Sequence, residues 1–256
     1  MITIKNTPHL TGVTVSGDFN DFYNLVEAFH DITIDEYSEK HQQYFDISTR
    51  VLGVCHDIRH AYQGERAIEL VDNNLTEDVM KWHSIIASKN NVYYSCNLLY
   101  PEMFFAMLAL NALLKLRIGD LTKSKFIYRE VLDNKVVWDK TIATVRIFQA
   151  EFVACVKETL TKAAFARWLN VMNGSYISIE DIATQYVDLL NIKYINMSKE
   201  KRVKNLSPMA KRIAEYRNSS DHQEIKDVVT QAAAEYGCDP GAIKLQGIEY
   251  PDDFDW

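Results

Sequence analysis

Apolar and polar positions alternate at the start of the chain. Ile2-Thr3-Ile4 and Val13-Thr14-Val15 flank Thr7-Pro8-His9-Leu10-Thr11-Gly12, a pattern that predicts a β-hairpin with a long loop. Gly17-Asp18 stops the second strand, and Asp18 with Asp21 three residues later predicts a helix N-cap and a first-turn acid. Phe22, Leu25, Val26 and Phe29 form the stripe of a short helix ending near Asp31. From about Ser38 to Tyr62 the period is again helical, with Tyr44, Ile47, Val51, Cys55, Ile58 and Tyr62 recurring at spacings of three and four. Gly64 is its expected C-terminal cap. Ala67 to Val71 and Val92 to Leu99 predict strands, separated by a short helix from Glu77 to His83. Pro101 marks the first turn of a core helix that runs to Arg117 and is closed by Gly119.

From about Asp139 the pattern is helical. Val145, Phe148, Phe152, Val156, Leu160, Ala164, Trp168 and Met172 predict one helix over Thr141 to Asn173. Ser178 with Asp181 opens another, carrying Ile182, Tyr186 and Leu189. Ser207-Pro208 opens the next, with Met209, Ile213 and Tyr216 on one face. Ser220 to Gln223 has the capping-box pattern, followed by a stripe from Ile225 to Tyr236 that Gly237 ends. Ala242 to Ile248 reads as a last strand. The first half is therefore β-β-α-α-β-β-α. The expected fold class is α+β, mainly helical, with a small antiparallel sheet from the N-terminal half packed on a helical bundle. One domain over 1–256 is expected; the alternative divides the chain into a 1–120 α+β part and a 139–256 helical part.

Composition narrows the function classes. Apolar residues at 47% and charged residues at 25% place the chain well outside the disordered regime. No run approaches the roughly 20 apolar residues that span a bilayer, so no membrane association is expected. Met103 to Leu110 is the most apolar stretch, and it reads as a buried helix. Met1 to Lys5 lacks the basic-then-apolar layout of a signal peptide, and Cys55, Cys96, Cys155 and Cys238 are too scattered for a metal knuckle or redox pair. A cytoplasmic protein is the expectation. The excess of 35 acids over 28 bases, net −7, disfavours nucleic-acid binding by the whole surface. Lys199 to Arg217, with seven bases and two acids, is the candidate strip for phosphate or nucleic acid, or else a solvated stretch; Glu249 to Trp256 carries four acids. There is no Gly-rich phosphate loop and no G-x-S-x-G elbow. Fourteen tyrosines suit either an interface or a half-buried core.

Functional side chains concentrate in Cys55-His56-Asp57-Ile58-Arg59-His60 and the following Tyr62-Gln63-Gly64-Glu65-Arg66. On a helical wheel centred on Cys55 the apolar stripe occupies about −60° to 0°. Arg59 falls at about +40° and His56 at about +100°. His60 follows at about +140° and Asp57 at about +200°. Arg59 at the stripe's edge requires a partner. Either it forms an internal ion pair, with Glu65, Glu69 or Glu102, or it presents its fork to an anion, with Gln63 and Arg66 beside it. His56 and His60, four apart, can approach one metal from the same helix face, with His83 and Glu102 as further ligands; ordinary hydrogen bonding is the alternative.

Val54-Cys55-His56-Asp57-Ile58-Arg59-His60 resembles the His-Asp signature of HD-domain phosphohydrolases. That resemblance implies a divalent transition metal held by His56 and Asp57, with His30 as an upstream ligand and Asp120, Asp133 or Asp139 as the downstream one. The opening Ile2 to Asp18 resembles the start of an uncharacterised bacterial family described only as a domain of unknown function, which implies no chemistry. The expected function is a non-catalytic interaction or regulatory protein without a cofactor, acting through a protein partner or self-association. A metal-dependent phosphohydrolase is the alternative.

Overall fold

The opening hairpin forms as its alternation dictates, β1 (Thr3–Asn6) pairing antiparallel with β2 (Gly12–Gly17) in the computed structural model, which describes residues 1–124, 126–174, 177–251 and 253–256. The interval between the 1–120 and 139–256 parts of the alternative division includes residue 125, and the acidic C-terminal stretch includes residue 252; both residues lie outside those described. Two further strands, β3 (Ala67–Asp72) and β4 (Asn90–Leu99), complete an antiparallel sheet of order β1-β2-β4-β3. Val13 opposes Leu98 and Val15 opposes Cys96, so these four buried side chains share one face. The fold is thus the mainly helical α+β arrangement expected.

Asp18 caps α1 (Phe19–Ile32) through a complete capping box, accepting from Asp21 N at 2.8 Å while Asp21 accepts from Asp18 N at 3.1 Å. The second helix starts later than Ser38. A 3-10 turn at Gln42–Tyr44 leads into α2 (Phe45–His60), because Asp35 and Ser38 side chains bond nearby backbone N–H groups and hold residues 35–40 in turns. Gly64, at φ 86°, lets the chain leave the helix through a π-type turn. The short α3 (Glu77–Trp82) lies between β3 and β4. The core helix α4 (Tyr100–Thr122) passes through Gly119 and ends at Lys123 in a left-handed conformation, beyond the predicted stop. It is buried on nearly all sides, as a helix through the centre of a core must be.

Short helices α5 (Ile127–Glu130) and α6 (Asn134–Val137) precede α7 (Lys140–Thr159). The predicted Thr141–Asn173 helix is two helices: Leu160 leaves helical geometry and Thr161 caps α8 (Lys162–Met172), accepting from Ala164 N at 3.3 Å. The helix assigned to Ser178 begins only at Thr184, as α9 (Thr184–Ile195). Pro208 does not open a helix; it lies inside α10 (Lys199–Ala214). It lines an open groove of about 1100 Å³ beside Lys204, so the carbonyl that its missing N–H releases is placed near solvent. Before α11 (Ser220–Tyr236) the cap position is Ser219, not Ser220, and the Ser219 hydroxyl pairs with Tyr186 OH at 3.0 Å instead of capping. Ala242 to Ile248 forms no strand. Gln185 Nε2 donates to Pro240 O and Ile243 O, consuming carbonyls that a ladder would need.

Buried residues from the sheet and from helices of both halves belong to one contiguous apolar core. No described helix is long and apolar enough to cross a membrane. All four cysteines are free thiols. Burial pushes Cys55 and Cys155 up to about 11 and Cys96 up to about 12, whereas Cys238 is exposed. An aromatic disulfide reagent should therefore titrate one thiol promptly in the native protein and all four after unfolding; two or more fast thiols would contradict this burial.

Candidate functional site

Helix α2 has a second patterned face. Asp46, Arg50, Gly53 and Asp57 follow at spacings of four, three and four, so they lie within about 60° of one another, opposite the apolar stripe. Arg50 anchors the site. Its Nε and Nη2 grip Glu102 of α4 at 2.8 and 2.5 Å, Nη2 also reaches Asp188 of α9 at 2.8 Å, and Nη1 donates to Thr184 O at 2.8 Å. Burial opposes the guanidinium's charge, but Glu102 and Asp188 outweigh it and hold its pKa above the ordinary value. Asn191 Nδ2 donates to Glu102 at 2.9 Å and to Tyr250 OH at 2.8 Å, and Tyr250 OH donates to Asp188 at 3.0 Å.

This network forms one wall of a cavity of about 620 Å³. Asp57 and Arg66, paired at 2.9 Å, stand at its edge, and Ser95, Cys96 and Asn97 of β4 supply another wall. Phe254 and Trp256 complete the lining from the C-terminal segment. That segment is pinned to the β1–β2 loop: His9 N donates to Trp256 O at 2.8 Å, and Thr11 Oγ1 donates to Asp255 O at 2.5 Å. The buried Arg202 of α10 braces the same loop through His9 O and Thr11 Oγ1. Asn191 is 1% exposed, and its Oδ1 has no hydrogen-bond partner among the described residues. An acceptor left bare in a buried site costs about 1–3 kcal/mol.

A second cavity, about 670 Å³, shares Arg50, Asp188 and Tyr250 with the first. Here the Asp46 and Asp239 carboxylates converge above Gly241, whose missing Cβ would stand 2.7 Å from Asp46 Oδ1 and 3.1 Å from Asp239 Oδ1. Desolvation, followed by the Asp239 carboxylate, pushes the Asp46 carboxyl up to about 6. A folded value above the unfolded one means that this group's contribution is complete below about pH 4 and is lost as pH rises through 6. Asp46→Asn should thus stabilise the protein at pH 8 by about 1 kcal/mol, after allowance for partial solvent exposure, and change little at pH 4. Urea titrations at both pH values check this; equal effects at the two would contradict it.

The structure separates the residues singled out from the sequence. His56 and His60 do meet, Nε2 to Nε2 at 2.8 Å, and His60 Nδ1 contacts Glu65 at 2.5 Å. Asp57 turns the other way, to Arg66 and the cavity. His30 is exposed on α1, His83 is exposed at the end of α3, and Gln63 is exposed in the turn after α2. Among the described residues, no three His, Cys, Asp or Glu side chains form a group that could hold a metal ion. Arg59 is half-buried and makes no ion pair among the described residues; Glu102 goes to Arg50 and Glu65 to His60. In the basic strip, Arg202, Lys211, Arg212 and Arg217 are engaged with backbone carbonyls or acids. Sequence reasoning passes over Arg50, which lies at about −140° on the wheel, outside the apolar stripe. The Asp46-Arg50-Gly53-Asp57 spacing is the signal that marks it.

Fold and site together define a mainly helical α+β protein with a charged, aromatic-lined cavity built around one partly buried arginine. The chain belongs to the family described as Domain of unknown function (DUF6904), whose model matches residues 2–256, an uncharacterised family such as the opening segment suggests. No curated protein and no solved structure matches it.

Proposed function

We propose that this is a non-catalytic regulatory protein that binds a small polar molecule carrying a protonated amine in the Arg50–Asn191 cavity. The surplus negative charge of the cavity wall carries the reading, and Asn191 Oδ1, which receives no donor from any described residue, adds an acceptor that a water or a ligand N–H satisfies. Arg50 supplies one positive charge against Glu102 and Asp188, while Arg66 and Asp57 cancel, so the wall holds one surplus negative charge. Tyr250, Phe254 and Trp256 contribute aromatic surface of the kind that attracts cations. A volume of about 620 Å³ falls in the range of small-molecule sites. Cys96, the thiol in the lining, is held protonated and is a poor nucleophile, which supports binding without covalent chemistry.

Thermal unfolding with a panel of amines (free amino acids, diamines and quaternary ammonium compounds) against neutral isosteres tests the reading. Binding at one hundred times the dissociation constant adds about 2.7 kcal/mol to stability, a shift of a few degrees in Tm. The shift should disappear in Asn191→Leu and weaken in Asp188→Asn. Stabilisation by anions alone, or by no amine at millimolar concentration, would overturn it.

A further inference from the structure

At one edge of the sheet the backbone is bare. β1, the other edge, packs beside α7, where Asn6 Nδ2 donates to Thr159 Oγ1 at 2.8 Å. β3 has no such cover among the described residues: all six of its residues are exposed, with Leu70 at 70%. Its sequence Ala-Ile-Glu-Leu-Val-Asp contains no proline or lysine, and its register with β4 runs without a bulge from Ala67 to Asp72. These are the devices by which chains ordinarily block an edge strand, and they are missing here. Ile68 opposes Tyr94 and Leu70 opposes Val92, so all four side chains extend the face that carries Cys96 and Leu98. The apolar face of the sheet therefore continues beyond the helices that bury it. The β3–β4 connection adds Trp82, 85% exposed, and the fully exposed Ile86. These exposed apolar side chains all belong to one strand pair and its connection, the kind of surface that marks an interaction site when its members adjoin.

We propose that two copies of this chain pair antiparallel through β3, joining their sheets into one of eight strands. The inference is independent of the ligand reading. A two-fold axis through Glu69 keeps both apolar faces on the same side and makes the strand complementary to itself. Ile68 then faces the partner's Leu70, and Arg66 faces the partner's Asp72, each contact occurring twice. Registers centred on Ile68 or Leu70 also align the faces, but they set Arg66 against an apolar Leu70 or Ile68 against Asp72. In the single chain Arg66 bonds Asp57 through Nη2, which leaves other N–H groups of its fork to reach across. Antiparallel pairing also carries the apolar tip of each copy to the base of the other's β3. There Tyr94 opposes Gly17, two residues before the half-exposed Phe19, which stacks on Tyr23. A stable dimer buries roughly 800 Å² per partner, so the interface has to extend from the paired strands onto these neighbouring side chains. Glu69 against the partner's Glu69 is the unfavourable contact, and it lies on the opposite, solvent face.

Light scattering on the full chain should give twice the single-chain mass of 29.5 kDa at micromolar concentration. Leu70→Lys, which changes the interface twice, should raise the dissociation constant by about a hundredfold or more, and Glu69→Gln should lower it. A charge exchange fixes the register. Arg66→Asp and Asp72→Arg should each be monomeric alone, facing Asp against Asp or Arg against Arg, and a mixture of the two should recover the dimer mass. Circular dichroism and Tm of each variant separate lost pairing from lost folding. A wild-type chain monomeric at hundreds of micromolar overturns the proposal. So does a dimer indifferent to Leu70→Lys, or folded charge variants that fail to rescue each other.

Discussion

Arg50→Met should lower the unfolding free energy by about 3–5 kcal/mol. The physical reason is the company left behind. Arg50 is held by two carboxylates and a backbone carbonyl, and the side chains of Arg50 and Glu102 are only 14% and 16% exposed. Without the guanidinium, Glu102 and Asp188 face each other across a partly dry site with no countercharge, and the Thr184 carbonyl loses its donor. Methionine replaces the stem's packing, so the loss isolates the charge from the volume. Arg59→Met on the same helix provides the contrast, since Arg59 has no carboxylate partner among the described residues. Its cost should stay below about 1 kcal/mol. Urea unfolding of both variants measures the difference; similar losses, or a loss under about 1 kcal/mol for Arg50→Met, would mean that the network contributes little.

Gly12→Ala should cost at least about 4 kcal/mol, a severe effect for one methyl group. Gly12 sits in β2 opposite Leu99, and an added Cβ would stand 1.9 Å from Leu98 O and 2.9 Å from Leu99 Cα. Neither atom belongs to a flexible side chain, so β2 and β4 must separate to admit the methyl. Leu98 and Leu99 also line the Arg50 cavity, so the same substitution should weaken amine binding. Gly53→Ala, with nothing within 4 Å of its Cβ position, is the matched control and should be neutral or slightly stabilising. Comparable Tm values for the two alanine variants would contradict the steric argument.

What the sequence reveals follows the range of the forces involved. The Asp18–Asp21 capping box and the alternation in β1 and β2 are local, so the residues that show the pattern also make the contact. Periodicity misleads where it survives a break: Val156, Leu160, Ala164 and Trp168 keep helical spacing although the chain turns at Leu160. Thr161 is the mark of that turn, but one threonine cap weighs little against an apolar stripe. Pro208 fails as a helix start because packing of α10 against α4 and α8 outweighs one missing hydrogen bond. The site fails for a related reason. Arg59 draws attention because the wheel assumes that one face of α2 is buried and the other wet. The helix has a dry apolar face and a second face closed by α4, α9 and Tyr250, and no pattern within α2 shows what covers it. Asp57 is a metal candidate through its neighbour His56, yet helical geometry sends the two side chains to different surfaces.

The bonds around Arg50 join segments 52, 134 and 138 residues apart, and Asn191 reaches another 59 residues on, to Tyr250. Closing such long loops is entropically slow, so no early fragment of the folding chain can contain the cavity. Ligand capture during refolding would accordingly rise with the last kinetic phase, as a clock for the final docking of helices rather than for their formation.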